Sequence, residues 1–470
     1  MQFPIRQTLT IMITSTSQNT HETDTANNVS CTTISTILTL AIPTFGQLIA
    51  EPAFVLIDTA IVGHIGGQAL AGLSVGSTIV LTVVGLCVFL AYSTTSQVGR
   101  LLGAGKRREG LEAGVDGLWL AGIIGVVVSV ALFVIARPLC MAMGAQGSVL
   151  HNAVDYVRAV VFGIPGMLLV YAANGIFRGL QKVRITLVAA TLGAILNTLL
   201  DLLFILGFGW GVFGSGVATL ISQWFMAVLL IVPAMLWTRA EGARLRPRLS
   251  GVLNSAGDGA VLFLRTLALR ACLVANVVLA THMGVEVLAA YQVVNSSWNF
   301  VLNMLDAIGI AGQTLVAAQI GARQEDEAMR LTRIAGRAGL CGGTVIGIGL
   351  MIAGWCASPL FSQSIEIQHL LTVGMVVVGV TLPLAGWMWA VDGILIGAGD
   401  YRYLALTCTA TAAIYVPCLA AIGWICDAMQ ASSALRMALL WLAVNLLFVG
   451  LRAIFNGSRI GTSTWLHIAH

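Results

Sequence analysis

Long apolar runs recur along almost the whole chain, and they constrain its fold more than any other feature. A helix needs about 20 apolar residues to cross the hydrocarbon of a bilayer. Twelve segments satisfy this condition, at 34–62, 69–97, 113–136, 150–176, 185–207, 211–237, 252–282, 286–318, 330–357, 367–396, 402–425 and 433–455. Because backbone polar groups inside a membrane must be satisfied within each segment, the sequence predicts an all-α polytopic membrane protein with twelve transmembrane helices.

The composition supports this prediction and excludes several classes of protein. Charged residues make up 9% of the chain, whereas a soluble globular protein carries about 25%. The sequence contains no GxxxxGK[ST] nucleotide loop, no HExxH motif and no CxxC pair. We therefore predict that the protein is not an enzyme, that it needs no cofactor, and that neither nucleotide nor nucleic acid is a partner.

The two halves of the sequence repeat one another. G-H-I-G with L-A-G at 63–72 returns as T-H-M-G with L-A-A at 281–290, so that His64 matches His282 at an offset of 218. The same offset pairs Pro165 with Pro383, Gly175 with Gly393 and Gly179 with Gly397, while Gln97–Gly105 matches Gln313–Gly321 at an offset of 216. Each half holds six segments, an even number, so we predict two parallel six-helix repeats with the substrate between them.

The distribution of basic residues predicts the orientation. Most of the 24 lysines and arginines follow even-numbered segments, including Arg178 after the fourth and Arg452 at the end of the twelfth. Cytoplasmic loops hold such an excess, so both termini are predicted to be cytoplasmic. The predicted organisation is a disordered cytoplasmic tail at 1–33, an N-lobe at 34–237, a cytoplasmic linker at 238–251, a C-lobe at 252–457 and a cytoplasmic tail at 458–470.

The first half carries the acidic residues that are most easily read as functional. Glu51 and Asp58 lie seven residues apart in the first segment, which places them on one helix face. Asn197 and Asp201 share a face of the fifth segment, and Thr219 could add a hydroxyl. Such oxygens can hold a proton between like charges or coordinate Na⁺ at Asp58, Asn197, Asp201 and Thr219. The alternative is that Asp201 only hydrogen-bonds a neighbouring helix.

The second half lacks a copy of this acidic cluster. The 218 offset places Asn276 opposite Asp58 and Leu269 opposite Glu51. Its apolar segments instead contain Arg265, Arg270, Asp306 and Asp392, for which we predict an internal polar network, because buried arginines need an anion. Ion coupling is therefore assigned to the first half.

Proline and glycine residues in the segments have structural interpretations. Pro43 interrupts hydrogen bonding early in the first segment, and either a movable kink or an ordinary tolerated proline fits the sequence. GxxxG spacing recurs at Gly175–Gly179 and Gly393–Gly397, and glycines at 339, 343 and 347 extend the pattern. We predict that these glycines allow close helix packing rather than contact a ligand.

Several longer motifs resemble the multidrug and toxic compound extrusion (MATE) family, and within it the DinF-like branch. They are I-D-T-A-I-V-G-H-I-G with L-A-G-L at 57–73, A-N-G-I-F-R-G-L-Q at 173–181, N-T-L-L-D at 197–201, L-D-A-I-G-I-A-G-Q at 305–313 and D-G-I-L-I-G-A at 392–398. The resemblance spans residues 34–455. It implies a twelve-helix, cation-coupled exporter whose two lobes form a V-shaped central cleft.

The resemblance also implies roles for individual residues. Asp58, Asn197, Asp201 and Thr219 fall on the polar site of the first lobe in that branch, and Pro43 falls on a proline whose kink is thought to change with protonation. One departure is Phe54, where some relatives have a tyrosine.

We therefore predict an antiporter that exports amphipathic, cationic organic compounds by alternating access, coupled to H⁺ or Na⁺. We place it as a monomer in a bacterial cytoplasmic (inner) membrane, in contact with lipid. The alternative is a flippase for lipid-linked precursors or a metabolite exporter, as in related folds of the superfamily.

Overall fold

A computed structural model describes residues 35–50, 52–53 and 56–468 of the chain. Within these ranges the chain is nearly all helical and contains no strand. The predicted tail at 1–33 lies outside the described residues, and so do Glu51 and Phe54. For these positions the sequence predictions stand as they were made.

Twelve helices follow one another along the described chain. They are α1 (Ser35–Ala50, with helical residues again at 56–63), α2 (Gly67–Gly103), α3 (Arg107–Ala142), α4 (Gly147–Gly179), α5 (Val183–Gly207), α6 (Gly211–Ala240), α7 (Leu249–His282), α8 (Val285–Gly321), α9 (Glu325–Cys356), α10 (Ile365–Ala398), α11 (Tyr401–Ala428) and α12 (Ser433–Ile460). Eleven of them, α2 to α12, are long and apolar enough to cross a membrane. With α1 they confirm the predicted twelve-helix fold.

Apolar side chains on the outer surface show which helix faces meet lipid. In α3, Ile123, Val126, Val127, Val130 and Val134 are all more than half exposed. Their spacing of three and four residues puts them on one face of the helix. Such a face is stable in hydrocarbon. Most helices also extend beyond the predicted apolar segments, because their polar end residues reach the headgroup region.

The two halves pack in the same way, as the repeat predicts. A side chain at Gly125 in α3 would collide with Pro165 in α4, and the equivalent Gly343 in α9 meets Pro383 in α10. Likewise Gly175 packs against the carbonyl oxygen of Ala91, and Gly393 against that of Gly309. These contacts confirm the packing role that was predicted for the glycines. The N-lobe is α1 to α6 and the C-lobe is α7 to α12.

The lobes touch where α2 and α8 end. The carbonyl group of Ala318 packs directly on Gly103, and that of Arg100 packs directly on Gly321. Between these contacts, a β-carbon at Gly99 would lie 3.1 Å from that of Ala317. Residues 99 and 317 are equivalent at an offset of 218, so they face each other on the pseudo-two-fold axis. The offset of 216 predicted for this segment is therefore wrong, because only 218 makes the paired contacts reciprocal.

Polar contacts reinforce this junction. The Arg100 guanidinium donates to the carbonyl oxygen of Ala398 over 2.9 Å, at the C-terminal end of α10. A cation is favourable there because the helix end carries partial negative charge. Gly399, which follows, has a φ of 83°, and any side chain on it would collide with Arg100. Ser96 also donates to the carbonyl oxygen of Gly397 over 2.8 Å. These contacts join the N-lobe to the end of α10.

Away from the junction, polar side chains mark a cleft between the lobes. On α2, Ser74, Thr78 and Thr82 are exposed, although they lie within a transmembrane helix. The 218 offset places exposed Gln292 and Ser296 of α8 opposite the first two. Polar groups in the middle of a span face water or protein rather than lipid. The equivalent faces of α2 and α8 therefore line a polar cleft.

The segment between the lobes is bound to the N-lobe. Glu112 of α3 pairs with Arg244 over 2.7 Å, and Asp116 accepts from the backbone of Arg248 over 2.8 Å. Helices α6 and α7 leave only residues 241–248 between them. At the other end of the chain, a short 3-10 helix at Ser463–Leu466 buries Trp465 completely.

Two of the basic residues used to predict orientation lie in the protein interior. Arg178 and Arg452 are 3% and 2% exposed, respectively. The positive-inside bias acts on residues in loops, so these two arginines contribute nothing to it. The orientation argument rests on the remaining basic residues at helix ends and in loops, such as Lys106 and Lys182.

Candidate functional site

A cavity of about 100 Å³ lies inside the N-lobe, between α1, α2, α4, α5 and α6. Asp58, Asn197 and Thr219 line this cavity, and so do Gln47 and Asn174. This volume holds a few water molecules. The structure therefore brings together four of the residues predicted for ion coupling, Asp58, Asn197, Asp201 and Thr219. We call these residues, together with Ser215, the acidic site.

The centre of the acidic site is a pair of carboxyl groups. Asp58 is 6% exposed and Asp201 is fully buried, and their side chains interact with each other. The hydroxyl group of Ser215 lies beside Asp58. Two carboxylates at this depth repel each other unless a proton or a cation lies between them.

The polar atoms around this pair lack hydrogen-bond partners. Those that accept or donate no hydrogen bond among the described residues are Asp58 Oδ1, both Asp201 oxygens, both amide atoms of Asn197, and the hydroxyl oxygens of Ser215 and Thr219. Buried polar groups in native proteins are nearly always satisfied by protein, water or an ion. Seven such atoms in one cluster therefore indicate a site that takes up water, a proton or a cation.

Helical geometry explains how these side chains converge. Asn197 and Asp201 lie on one face of α5, and Asp201 ends its regular α-helical part, because Leu202–Gly207 forms π-helix. Single π turns inside helices are frequent at functional sites. Ser215 and Thr219 lie one turn apart on α6 and present their hydroxyls to the same region.

Some residues around the cavity were not predicted from the sequence. Ser215 precedes Thr219 by four residues, so the same-face argument that found Asn197 would have found it. Tyr156 of α4, whose hydroxyl lies next to Thr219, has no comparable sequence signal. Its position depends on the packing of α4 against α6.

Pro43 lies within α1, which runs without interruption from Ser35 to Ala50. The side chain of Pro43 is partly buried. Gln47, one turn further along, lines the cavity. A change of kink at Pro43 stays a prediction.

The C-lobe contains a separate buried network, which we call the arginine cluster: Arg265, Asp392, Arg452 and Asn456. Asp392 forms ion pairs with Arg265 and, over 3.2 Å, with Arg452, and it accepts from the Asn456 side chain over 3.0 Å. The cluster therefore joins α7, α10 and α12. It contains Arg265 and Asp392 as predicted, but Arg452 had been assigned to the cytoplasmic end of α12.

The other two residues predicted for this network have different contacts. Asp306 of α8 accepts a hydrogen bond from the Tyr92 hydroxyl of α2 over 3.0 Å. This hydrogen bond connects the two lobes. Arg270 is exposed, and no ion pair involves it in the described part of the chain. The prediction of one network was wrong for Arg270, because i,i+5 spacing turns Arg270 away from the face of Arg265. Asp306 interacts electrostatically with Arg265 and Asp392 without forming an ion pair with either among the described residues.

Comparison with known proteins identifies the family. The family model MatE matches this chain twice, over residues 43–203 and 262–421. The chain belongs to the MatE family. One match falls in each half of the chain, and the two matches end 218 residues apart. The resemblance predicted from the sequence motifs is thereby confirmed, and the protein is a multi-pass membrane transporter of the MATE family.

Curated relatives share the full length of the fold. DNA damage-inducible protein F of Escherichia coli (strain K12) is 26% identical over 424 residues, which cover 88% of this chain and 89% of that protein. Protein DETOXIFICATION 44, chloroplastic, of Arabidopsis thaliana is 28% identical over 445 residues, or 91% of this chain and 82% of that protein.

Solved structures of transporters have the same fold. The Vibrio cholerae MATE transporter VcmN in the bent form superposes with a TM-score of 0.83 at 18% identity, covering 93% of this chain and 99% of that one. An outward-facing multidrug resistance MATE family transporter gives a TM-score of 0.80 at 20% identity, with coverage of 91% and 95%. At this level of identity the similarity establishes the two-lobe fold.

Proposed function

We propose that this MATE family transporter is a cation-coupled antiporter that exports amphipathic, cationic organic compounds. The acidic site supplies the coupling, with H⁺ or Na⁺ as the ion and no other cofactor. The observation that carries this proposal is the buried pair of Asp58 and Asp201, surrounded by polar atoms that form no hydrogen bond within the described part of the chain.

The chemistry of the pair supports exchange of an ion. Two buried carboxyl groups that interact are stable with one proton, or one cation, between them. The oxygens of Asn197, Ser215 and Thr219 add hard ligands of the type that an alkali or alkaline-earth cation prefers. The transporter would bind the ion in one conformation and release it in the other. This difference in ion affinity would drive the change between the two conformations, since only differential affinity shifts a conformational equilibrium.

Topology and location complete the proposal. Basic residues in the loops after α2 and α4 and in the first helical turns that follow them lie at the end of the molecule where the lobes touch: Lys106, Arg107, Arg108, Lys182 and Arg184. If this end is cytoplasmic, both termini are cytoplasmic and the cleft opens outward. A bacterial inner membrane, with the protein as a monomer in lipid, is the proposed location.

The test is transport by the purified protein in liposomes. Efflux of a cationic dye is measured under a proton gradient and, separately, under a sodium gradient. We expect one of these gradients to drive efflux by the wild type, and we expect both Asp58→Asn and Asp201→Asn to abolish it.

A matched control uses a carboxylate outside the acidic site. Asp427 is 68% exposed and pairs with Arg436 at the surface, so Asp427→Asn should transport like the wild type. Undiminished efflux in Asp58→Asn and Asp201→Asn, at normal levels of reconstituted protein, would contradict the proposal.

A further inference from the structure

The interiors of the two lobes differ in which polar groups form no hydrogen bond. In the acidic site of the N-lobe these groups are mainly carboxyl, amide and hydroxyl oxygens. In the arginine cluster of the C-lobe they are the Nε–H groups of Arg265 and Arg452, which donate to no acceptor in the described part of the chain. Free donors on buried cations indicate that this cluster takes up an anion or water rather than a cation.

Contacts with Asp392 bring the two arginines together. Nη2 of Arg265 and Nη2 of Arg452 contact the same oxygen, Asp392 Oδ2, the second of them over 3.2 Å. The other oxygen, Oδ1, accepts from the Asn456 amide over 3.0 Å. In the rigid guanidinium fork, Nε–H and Nη2–H point out of the same edge. The two free Nε–H groups therefore lie on edges that converge beside Asp392.

The cluster carries one more positive than negative charge. Arg265 and Arg452 are 7% and 2% exposed, and Asp392 is the one carboxylate that forms an ion pair with them among the described residues. Asp306 also acts electrostatically on Arg265, but it acts on Arg178 as well, so it does not remove the excess. Uncompensated charge is costly in the interior of a membrane protein. Water could satisfy the free donors but brings no charge, so a monovalent anion fits the cluster better.

The surroundings of Arg452 limit the size of this anion. The ring centres of Trp389 and Phe448 lie 5.1 and 5.5 Å from its guanidinium carbon. The thiol of Cys408, a residue that is 1% exposed, lies beside Arg452. Side chains of α7, α10, α11 and α12 thus enclose the cluster. A ligand at this place is a small ion rather than an organic molecule.

We propose that the arginine cluster binds one chloride ion at the Nε–H groups of Arg265 and Arg452. The chloride is a fixed counter-ion that brings the net charge of the cluster to zero. This inference goes beyond the proposed export function, because the ion is held inside the C-lobe and is not transported.

Binding of radioactive chloride to the purified, full-length protein tests the site directly. Sodium gluconate replaces sodium chloride during purification, and equilibrium dialysis measures binding at constant ionic strength. We expect saturable binding of one chloride per chain, which bromide competes with and gluconate does not. Absence of saturable binding would overturn the proposal and leave water as the partner of the free donors.

Two arginine variants locate the site. Arg452→Gln removes one donor and leaves Arg265 and Asp392 as a neutral pair, so chloride affinity should fall at least about tenfold, as for a lost hydrogen bond to a charged group. Arg178→Gln is the matched control. Arg178 is 3% exposed and also has a free Nε–H, but it shares no carboxylate oxygen with a second arginine among the described residues.

The control variant should bind chloride like the wild type. Wild-type affinity in Arg452→Gln, or loss of binding in Arg178→Gln alone, would place the ion elsewhere and overturn the proposal.

Thermal denaturation in detergent gives a second readout. Replacing gluconate by chloride should raise the melting temperature of the wild type by about 2–4 °C, because a ligand of the folded state stabilises it by mass action. Arg452→Gln should melt at the same temperature in both salts, since its neutral pair needs no anion. Asp392→Asn raises the net charge by one and should respond to chloride more strongly than the wild type. If Arg452→Gln does not fold, an equal response of the wild type and Asp392→Asn would overturn the proposal.

Discussion

The neutral oxygens of the acidic site offer a way to distinguish between the two proposed coupling ions. A proton needs only the carboxyl groups of Asp58 and Asp201, whereas Na⁺ needs several oxygen ligands. If sodium drives efflux, we expect Asn197→Ala and Thr219→Val to lower it by about tenfold, the usual effect of disturbing a metal's ligand environment. If protons drive efflux, we expect both variants to transport like the wild type. Efflux assays in liposomes under the gradient that drives the wild type give the measurement. Unchanged sodium-driven efflux, or a loss of proton-driven efflux by about tenfold, would contradict these ligand roles.

A second prediction concerns Asp392, the only carboxylate that is ion-paired within the arginine cluster. Asp392→Asn leaves Arg265 and Arg452 buried without their anion, which should reduce stability by about 3–5 kcal/mol. Thermal denaturation in detergent measures the effect. Asp427→Asn removes an exposed partner of Arg436 and should cost less than about 1 kcal/mol. Similar losses in the two variants would contradict the role of Asp392 as a buried counter-ion.

For individual residues, the sequence predicted which side chains share a helix face better than it predicted contacts between helices. Asn197 and Asp201 were recognised together because helical spacing places them on one face. The partners of Arg452 and Asp306 were missed because they depend on how α12 meets α10 and how α8 meets α2. Such contacts are between residues far apart in the chain, and helix periodicity contains no information about them.

The close packing of helix α9 against helix α10 depends on glycine. A β-carbon at Gly343 would collide with the carbonyl group of Leu382 and with Pro383, whereas at Gly349, on the same helix, it would meet nothing within 4 Å. We expect Gly343→Ala to destabilise the protein by about 1–3 kcal/mol, as overpacking does. Gly349→Ala should leave the melting temperature in detergent unchanged. If Gly343→Ala melted like Gly349→Ala, the close approach of these helices would not matter for stability.

The helices themselves were largely predictable from sequence, since each apolar run is long enough to specify a span. Their ends were less predictable. α3 begins at Arg107 rather than at 113, because its first turns are polar and lie outside the hydrocarbon.

For the molecule as a whole, the proposed alternating access requires the junction on the pseudo-two-fold axis to open. A β-carbon added at Gly99 would lie 3.1 Å from that of Ala317, so two cysteines at these positions would be near the β-carbon separation of a disulfide, about 3.8 Å. In a background without native cysteines, Gly99→Cys with Ala317→Cys should form a disulfide under oxidation and abolish dye efflux. Reduction should restore it. Efflux assays before and after reductant give the measurement.

The control pair is Gly122→Cys with Gly349→Cys, at positions where a side chain meets open space. It should neither cross-link nor lose activity. Full efflux by the oxidised Gly99 and Ala317 pair, with the disulfide verified, would show that transport proceeds without opening this junction.

The repeat predicted the two-lobe architecture, and the sequence also predicted that the acidic cluster has no copy in the second half. Backbone contacts such as those of Gly125 and Gly343 are equivalent in the two lobes, whereas the acidic site and the arginine cluster each occur once. Equivalent glycines are visible as an offset in the sequence. The partners of unique charged residues are not.

The axis position of Gly99 and Ala317 has an evolutionary consequence. In a symmetric pair of half-length chains, a residue on the two-fold axis meets its own copy, so one mutation changes both sides of the contact. Joining the two copies in one gene removes this constraint. Each side can then acquire a different residue, as glycine and alanine have here, and the two halves are free to specialise in different chemistry while they keep a common frame.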